Sequence, residues 1–114
     1  MKNDEILKQE DRIQQEMVVK YRNTFCLVHH NPRCMIFHVP NQHQEHLVKI
    51  GVLAGVSDLI VIHQAYAGSP SEAHYFEVKT PTGIQSPAQK DFQERIEALG
   101  YEYYIVRSLD EFWY

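Results

Sequence analysis

Two runs of sequence decide the fold: Gly-Val-Ser-Asp-Leu-Ile-Val-Ile at residues 55–62 and Tyr-Phe-Glu-Val-Lys at residues 75–79. Each predicts a strand in which an acidic residue, Asp58 or Glu77, stands where an apolar one is usual. Side chains alternate along a strand, so Glu77 and Lys79 point the same way. Two acids and a lysine that converge at strand ends predict a site for a divalent metal ion and a phosphate.

The residue between the acid and the lysine has a different role. Val78 points oppositely, into the predicted core. An alternative explanation of the Glu77-x-Lys79 pattern is an exposed strand face that carries an ion pair, because this pattern is common on solvated strands. The rest of the sequence bears on the choice between the two.

Hydrophobic periodicity and turn residues predict the remaining elements. Apolar positions at helical spacing predict a first helix over residues 4–22, and Ser86-Pro87 predicts the N-cap and first turn of a helix that ends near Leu99. The run from Ser108 to Glu111 has capping-box spacing and predicts a short last helix. The predicted strands cover residues 25–28, 35–39, 59–62, 74–79 and 103–106, with a short helix over 42–49 and a turn over 80–83. They predict one α/β domain over residues 1–114, with a mixed central sheet flanked by helices.

Several short motifs follow one another in a specific order along the chain. Glu-Asp-Arg-Ile-Gln at residues 10–14 precedes Gly-Val-Leu-Ala-Gly-Val-Ser-Asp at 51–58, and Ser-Pro-Ala-Gln at 86–89 follows the Glu-x-Lys run. In this order the chain resembles a VRR-NUC domain, the virus-type replication-repair nuclease branch of the PD-(D/E)xK superfamily. The resemblance runs from about residue 10 to residue 112 and implies a restriction-endonuclease-like core. Ser57 departs from the family's usual proline before the aspartate.

The resemblance implies a role for the central residues. Asp58 and Glu77 would hold Mg²⁺ or Mn²⁺, since hard cations prefer carboxylate oxygens. The carbonyl oxygen of Val78 would be a further ligand. Lys79 would lie beside the attacking water and the scissile phosphate, where an ammonium group stabilises developing negative charge.

Two outlying residues complete the site that the resemblance implies. Glu10 on the first helix would complete the metal shell, with Glu16 on the same helix as the rival and a solvated helix face as the alternative. Gln89 would lie in the active site near the lysine and the phosphate. Its alternative role is a capping box that reaches back to Ser86, three residues earlier.

Composition limits the class of protein. The 114 residues carry a formal net charge of −4, which argues against a general basic coat for nucleic acid but not against a nuclease with an acidic metal site. No segment is long and apolar enough to span a bilayer, and the N-terminus is not that of a signal peptide. Cys26 and Cys34 are predicted to be reduced, small buried residues in a cytoplasmic protein. The resemblance to phage and prophage proteins implies that this is the cytoplasm of a bacterial host cell.

The seven histidines offer a second kind of metal site. His43 and His46 are spaced to share a helix face, in a loop where many members of the resembled family carry basic residues. A structural zinc site there would need two further ligands from Cys26, Cys34 or His38. The sequence has no compact Cys-x-x-Cys pair to support it.

The most specific hypothesis is a metal-dependent endodeoxyribonuclease. Stand-alone VRR-NUC proteins of phages and prophages resemble this chain in size, which implies a homodimer that acts on branched DNA such as four-way (Holliday) junctions. The aromatic end Phe112-Trp113-Tyr114 is a candidate interface. The alternatives are a flap, gap or nicking nuclease of the same fold, and a catalytically silent DNA-binding or assembly module. The basic residues that could contact phosphates are Arg22, Arg33, Lys49, Lys90, Arg95 and Arg107.

Overall fold

A computed structural model describes residues 2–27, 34–39, 53–64 and 66–112. The chain forms helix α1 (Lys2–Tyr21) with a π-helical extension (Arg22–Leu27), strands β1 (Cys34–His38), β2 (Leu59–His63) and β3 (Glu72–Val78), helix α2 (Pro87–Ala98), strand β4 (Glu102–Val106) and helix α3 (Leu109–Phe112). The helix predicted over residues 42–49, with His43 and His46, lies outside the described residues. No helix in the described ranges is long and apolar enough to cross a membrane.

The four strands form one mixed sheet in the order β1-β2-β3-β4. The first two pairings are antiparallel and the β3–β4 pairing is parallel, because α2 crosses over between these two strands. Helices flank this sheet, so the predicted α/β architecture is confirmed. The start of β2 and the ends of β3 and β4 consequently meet at one end of the sheet, which is where the predicted acidic residues stand.

The first helix covers one face of the sheet. Ile13, Met17 and Tyr21 recur every four residues and form a buried stripe on α1. That stripe belongs to a core with residues of every strand, including Val78, whose predicted inward orientation is confirmed. Phe112 of α3 is also buried in this core and packs edge-on against Phe76. It is therefore no exposed interface residue, and Trp113 and Tyr114 lie outside the described residues.

The second long helix covers part of the other face. Ser86 caps α2, and Pro87 occupies its first turn, as predicted. Phe92 and Ile96 on its buried side pack with Tyr103 of β4. Gly100 ends the helix at φ 89°, a conformation that favours glycine.

Two predictions in the first third of the chain are wrong. Residues 25–27 continue the first helix as a π-helical turn, where the sequence predicts a strand over 25–28. Thr24, Phe25 and Cys26 favour strands by propensity, but the helix that precedes them continues through this segment. Cys34 is disulfide-bonded, where a reduced thiol is predicted.

Candidate active site

Asp58 stands immediately before β2 and is tied to both neighbouring strands. Its Oδ2 accepts a hydrogen bond of 2.7 Å from the backbone N–H of Val78, near the end of β3. Its backbone carbonyl accepts from His38 Nδ1 at 2.7 Å and from the Val39 N–H at 3.2 Å. The carboxylate is thereby fixed beside the Glu-Val-Lys run with its second oxygen left for another partner.

Ser57, the departure from the family's usual proline, is compatible with this geometry. Its side chain is fully buried, and its hydroxyl donates to the backbone carbonyl of Leu59 at 3.3 Å. The hydroxyl therefore has a partner, and burial of this polar group carries no unmet hydrogen bond.

Glu77 is a buried carboxylate with one oxygen satisfied. The residue is 1% exposed, and the hydroxyl of Tyr103 donates to its Oε1 at 2.6 Å. Its Oε2 is buried and has no hydrogen-bond partner in the described part of the chain. A buried carboxylate oxygen without a partner is costly, and a bound cation is one way to satisfy it.

Lys79 follows β3 and is held at the same end of the sheet. Its backbone N–H donates to the Val106 carbonyl at 3.0 Å, so the chain stays paired with β4 up to this residue. Among the described residues no ion pair joins the Lys79 ammonium to Glu77. The positive charge of the Lys79 ammonium nevertheless favours the ionised forms of Glu10, Asp58 and Glu77, and it thereby lowers the pKa of each.

Glu10 reaches this end of the sheet from α1. Its carboxylate interacts with the backbone N–H of Thr80 and with the charges of Lys79, Asp58 and Glu77. Glu16, the predicted rival, lines a separate pocket with Val19 and Leu109. The fold therefore brings Glu10, and not Glu16, to the other acids.

The three acids share one electrostatic property. Burial raises the pKa of Asp58, Glu77 and Glu10, and the neighbouring acids add to the rise for each. The opposing contributions come mainly from the Val78 N–H for Asp58, the Tyr103 hydroxyl for Glu77 and the Lys79 ammonium for Glu10. Three carboxylates that resist ionisation together form a donor set suited to an oxygen-preferring divalent cation.

Gln89 takes the helix-capping role. Its Oε1 accepts from the Ser86 N–H at 2.8 Å, and its own N–H donates to the Ser86 hydroxyl at 3.2 Å, which completes a capping box. A Cβ added at Gly55 would lie 2.2 Å from the Ala88 carbonyl oxygen, and Gly55 has φ 81°. The glycine before Asp58 therefore lets this loop approach the first turn of α2.

Sequence reasoning missed two neighbours of Glu77. Tyr103 donates to it, and Gln85 lies close enough to lower its pKa, with Gln85 Nε2 3.5 Å from the Tyr103 hydroxyl. The register that places Tyr103 opposite Tyr75 involves two strands 28 residues apart, and a single sequence does not define that register. Alternation would place Tyr103 near Glu77 only once this pairing is known.

Arg107 supports the site from outside. Its Nη1 donates to the carbonyls of Thr80 and Gly83 at 2.7 and 2.6 Å. The turn they form is the one predicted over residues 80–83, closed by a Gly83 N–H to Thr80 carbonyl bond of 3.1 Å. This guanidinium braces the turn that carries the Thr80 N–H toward Glu10.

One solved structure gives the comparison with known proteins. The chain is similar to a VRR_NUC domain protein, with 28% identity, a TM-score of 0.64 and coverage of 89% of this chain and 78% of that chain. No family model and no curated protein matches the chain. The solved structure carries the same family name as the sequence resemblance and covers nearly the whole chain. In fold and in the order of its motifs, the chain is therefore similar to a VRR_NUC domain protein, and the resemblance found in the sequence is confirmed.

Proposed function

We propose that this protein is a divalent-metal-dependent endodeoxyribonuclease that cleaves branched DNA as a homodimer. The observation that carries the proposal is the buried Glu77 carboxylate, whose Oε2 lacks a partner among the described residues, beside Asp58 and within the electrostatic reach of Lys79. A purely structural carboxylate at this position would be expected to have both oxygens satisfied.

Asp58, Glu77 and Glu10 would hold Mg²⁺ or Mn²⁺, with the Val78 carbonyl as a further ligand. Bound there, the cation would polarise the phosphodiester and lower the pKa of an attacking water. The fit rests on the donor set: three carboxylates with raised pKa values, two of which, Asp58 and Glu77, are anchored by a hydrogen-bond donor from the protein. The anchors orient the carboxylates before any ligand arrives, which lowers the reorganisation cost of binding.

Lys79 would act on the phosphate. Among the described residues its ammonium is not engaged in an ion pair with Glu77, so it is available to a substrate oxygen. A cation at that position stabilises the charge that develops on the phosphoryl oxygens during in-line attack. Gln89 would support the site through the capping box that fixes the first turn of α2 beside Gly55, and its contact with the phosphate remains a prediction.

The homodimer would present two active sites to the two strands of a junction related by a two-fold axis. Met35 and Ile62 are cross-strand partners on β1 and β2, and both are exposed. An exposed apolar pair on a sheet face is a candidate seam between two copies. Substitution of Met35 by aspartate should convert a dimer to a monomer in light scattering, while Leu99→Asp at another exposed apolar residue should not.

The activity test compares labelled four-way junction, flap, splayed and linear duplex DNA, each with Mg²⁺, Mn²⁺ or EDTA. We expect cleavage with either cation, none with EDTA, and the fastest cleavage on the junction. The matched pair for the active site is Glu10→Ala against Glu16→Ala, two glutamates of the same helix. Cleavage of linear duplex at the same rate as the junction would reject the branched substrate, and cleavage in EDTA would reject the metal.

A catalytically silent module is the other outcome of that test. Binding of junction DNA without cleavage under every metal condition would support it. The structure gives no specific observation in its favour, because the residues that would be lost first in a silent relative, Asp58, Glu77 and Lys79, are all present.

A further inference from the structure

A second cluster of metal-ligating side chains lies at the opposite end of the same sheet. His63 is the last residue of β2, and Glu72 is the first residue of β3 directly across from it. His74 follows two residues later, so the side chains of all three lie on one face. This end is separated from the acidic residues by the length of the strands, and the proposed nuclease activity uses none of the three residues.

The three donor atoms have the separations of metal ligands. His63 Nε2 lies 3.0 Å from Glu72 Oε2 and 3.1 Å from His74 Nε2, and His74 Nε2 lies 3.4 Å from Glu72 Oε2. A tetrahedral zinc site with bonds of about 2.0–2.1 Å has ligand-to-ligand edges of about 3.3–3.4 Å. The triangle formed by the three atoms therefore needs adjustments of only a few tenths of an ångström to become one face of such a tetrahedron.

A fourth side chain fixes the tautomer of His74. Its Nδ1 lies 2.9 Å from Glu102 Oε2, and the hydroxyl of Tyr104 donates to the same carboxylate. A carboxylate that already accepts from the Tyr104 hydroxyl is the acceptor for the His74 Nδ1 proton. Nε2 of His74 is left with a lone pair directed at His63 and Glu72. A carboxylate behind a ligating histidine is the usual partner of a zinc-bound imidazole.

Without a cation the contacts are incompletely satisfied. A bare His74 Nε2 and an ionised Glu72 oxygen are both hydrogen-bond acceptors. The single proton on His63 Nε2 can make a good hydrogen bond to one of them and only a poor one to the other. A cation among the three atoms would satisfy all of them at once.

Two imidazole nitrogens and one carboxylate select the kind of cation. Imidazole suits Zn²⁺ and other late transition metals, whereas Mg²⁺ prefers an all-oxygen shell. The cluster is open on one side, since the side chains of His63 and Glu72 are 36% and 64% exposed while that of His74 is 18% exposed. Beside His74 and Glu72 lies an open pocket of about 250 Å³, which leaves room for a water as fourth ligand.

We propose that His63, Glu72 and His74 form a zinc site that fastens the β2–β3 hairpin, with Glu102 as a positioning residue behind His74. The two strands are joined by residues 64–71, and a metal across their ends would hold them together beyond their backbone pairing. A metal that binds only the folded chain stabilises it by mass action.

Zinc titration by calorimetry, with excess Mg²⁺ present to occupy the acidic end, tests the proposal on the full chain. We expect one Zn²⁺ per chain and a rise in Tm of about 10 °C at a free Zn²⁺ concentration about 100 times Kd. His63→Ala and His74→Ala should each weaken binding more than about 100-fold, and Glu102→Gln should weaken it about 10–100-fold. Co²⁺ in place of Zn²⁺ should give the strong visible absorption of a tetrahedral site.

The matched control is His43→Ala, which removes a histidine from another part of the sequence and should leave zinc affinity unchanged. Equal loss in His43→Ala, or full zinc affinity in either His63→Ala or His74→Ala, would overturn the proposal. Absence of binding to the unmodified chain would also overturn it. Circular dichroism without metal shows whether each variant folds, and the more conservative His63→Gln and Glu102→Gln supply the answer if an alanine variant does not. None of these measurements uses nuclease activity. A negative result would therefore reject the zinc site without rejecting the proposed function.

Discussion

The two ends of the central sheet present different kinds of metal-ligating side chains, although the same strands β2 and β3 build both. At one end Asp58 and Glu77 present carboxylate oxygens in a buried setting, where burial raises the pKa of both. At the other end His63 and His74 present imidazole nitrogens with Glu72 at a largely exposed rim. The difference teaches that strand alternation fixes which side chains share a face, while burial and ligand type decide what they can bind.

The sharpest test of this comparison separates the two ends by activity. Glu77→Gln and Asp58→Asn each remove one proposed anionic ligand, and we expect cleavage to fall by about 10³-fold or more because several kcal/mol of charge stabilisation are lost. Zinc binding at the histidine end should remain unchanged. Glu94→Gln and Asp91→Asn, at exposed positions of α2, are the matched controls in a junction-cleavage assay.

If zinc affinity and cleavage fell together in Glu77→Gln, the two ends would not be independent. A near-normal cleavage rate in either variant would instead remove the acidic residues from the mechanism.

Lys79→Ala sharpens the comparison because it separates catalysis from affinity at the acidic end. We expect cleavage to slow by about 10²–10⁴-fold, the loss typical of one preorganised electrostatic group, while DNA binding stays within a few-fold. Single-turnover cleavage and equilibrium binding are measured on the same junction. The control is Lys8→Ala, at an exposed position of α1. Parallel loss of binding and cleavage would make Lys79 a phosphate contact only.

The tyrosines of β4 provide a matched pair, one at each end. Tyr103→Phe removes the hydroxyl that donates to Glu77, and Tyr104→Phe removes the hydroxyl that donates to Glu102. We expect the first to raise the Mg²⁺ concentration for half-maximal cleavage about 10–100-fold and the second to leave it unchanged. Equal Mg²⁺ requirements in the two variants would show that the Tyr103 bond does not orient Glu77.

Much of this organisation could be predicted from the sequence because it is local. The strand that follows Asp58, the strand that carries Glu77 and the Ser86 cap of α2 all follow from short-range alternation and capping chemistry, and each is present. The motif on the first helix predicts a role for Glu10 beside Asp58 and Glu77, and the fold brings Glu10 to these two acids.

The unpredicted features depend on register between distant segments. Tyr103 meets Glu77, and His74 meets His63 and Glu102, only after the strands pair as they do. A shift of one residue in either pairing would move these side chains to the other face, and nothing in a single sequence excludes that shift. Gln89 illustrates another limit, because the same spacing permits a catalytic contact or a cap, and the structure has the capping box.

The smallest expected effect concerns the pH dependence of stability at the acidic end. Burial raises the pKa of Glu77 above its ordinary value, so the unfolded chain loses this proton at a lower pH than the folded chain does. The stability that the protonated form of Glu77 contributes is fully present below the ordinary pKa of a glutamate. It is lost as pH rises through the higher pKa that Glu77 has in the folded chain. In EDTA, the Tm of the unmodified chain should therefore fall over this range, and part of the fall should be absent in Glu77→Gln.

The measurement is the difference in Tm between Glu77→Gln and the unmodified chain, from mildly acidic to neutral pH. This difference should grow with pH by a few degrees, on the order expected when one group changes its proton affinity on folding. Glu94→Gln, at an exposed position of α2, should show no such growth. Added Mg²⁺ at neutral pH should narrow the gap, because a cation bound to the ionised carboxylate stabilises only the chain that keeps Glu77. A Tm difference that stays constant across pH, or that Mg²⁺ does not change, would mean that the buried Glu77 carboxylate needs no cation. The contrast between the two ends of the sheet would then depend on the histidines alone.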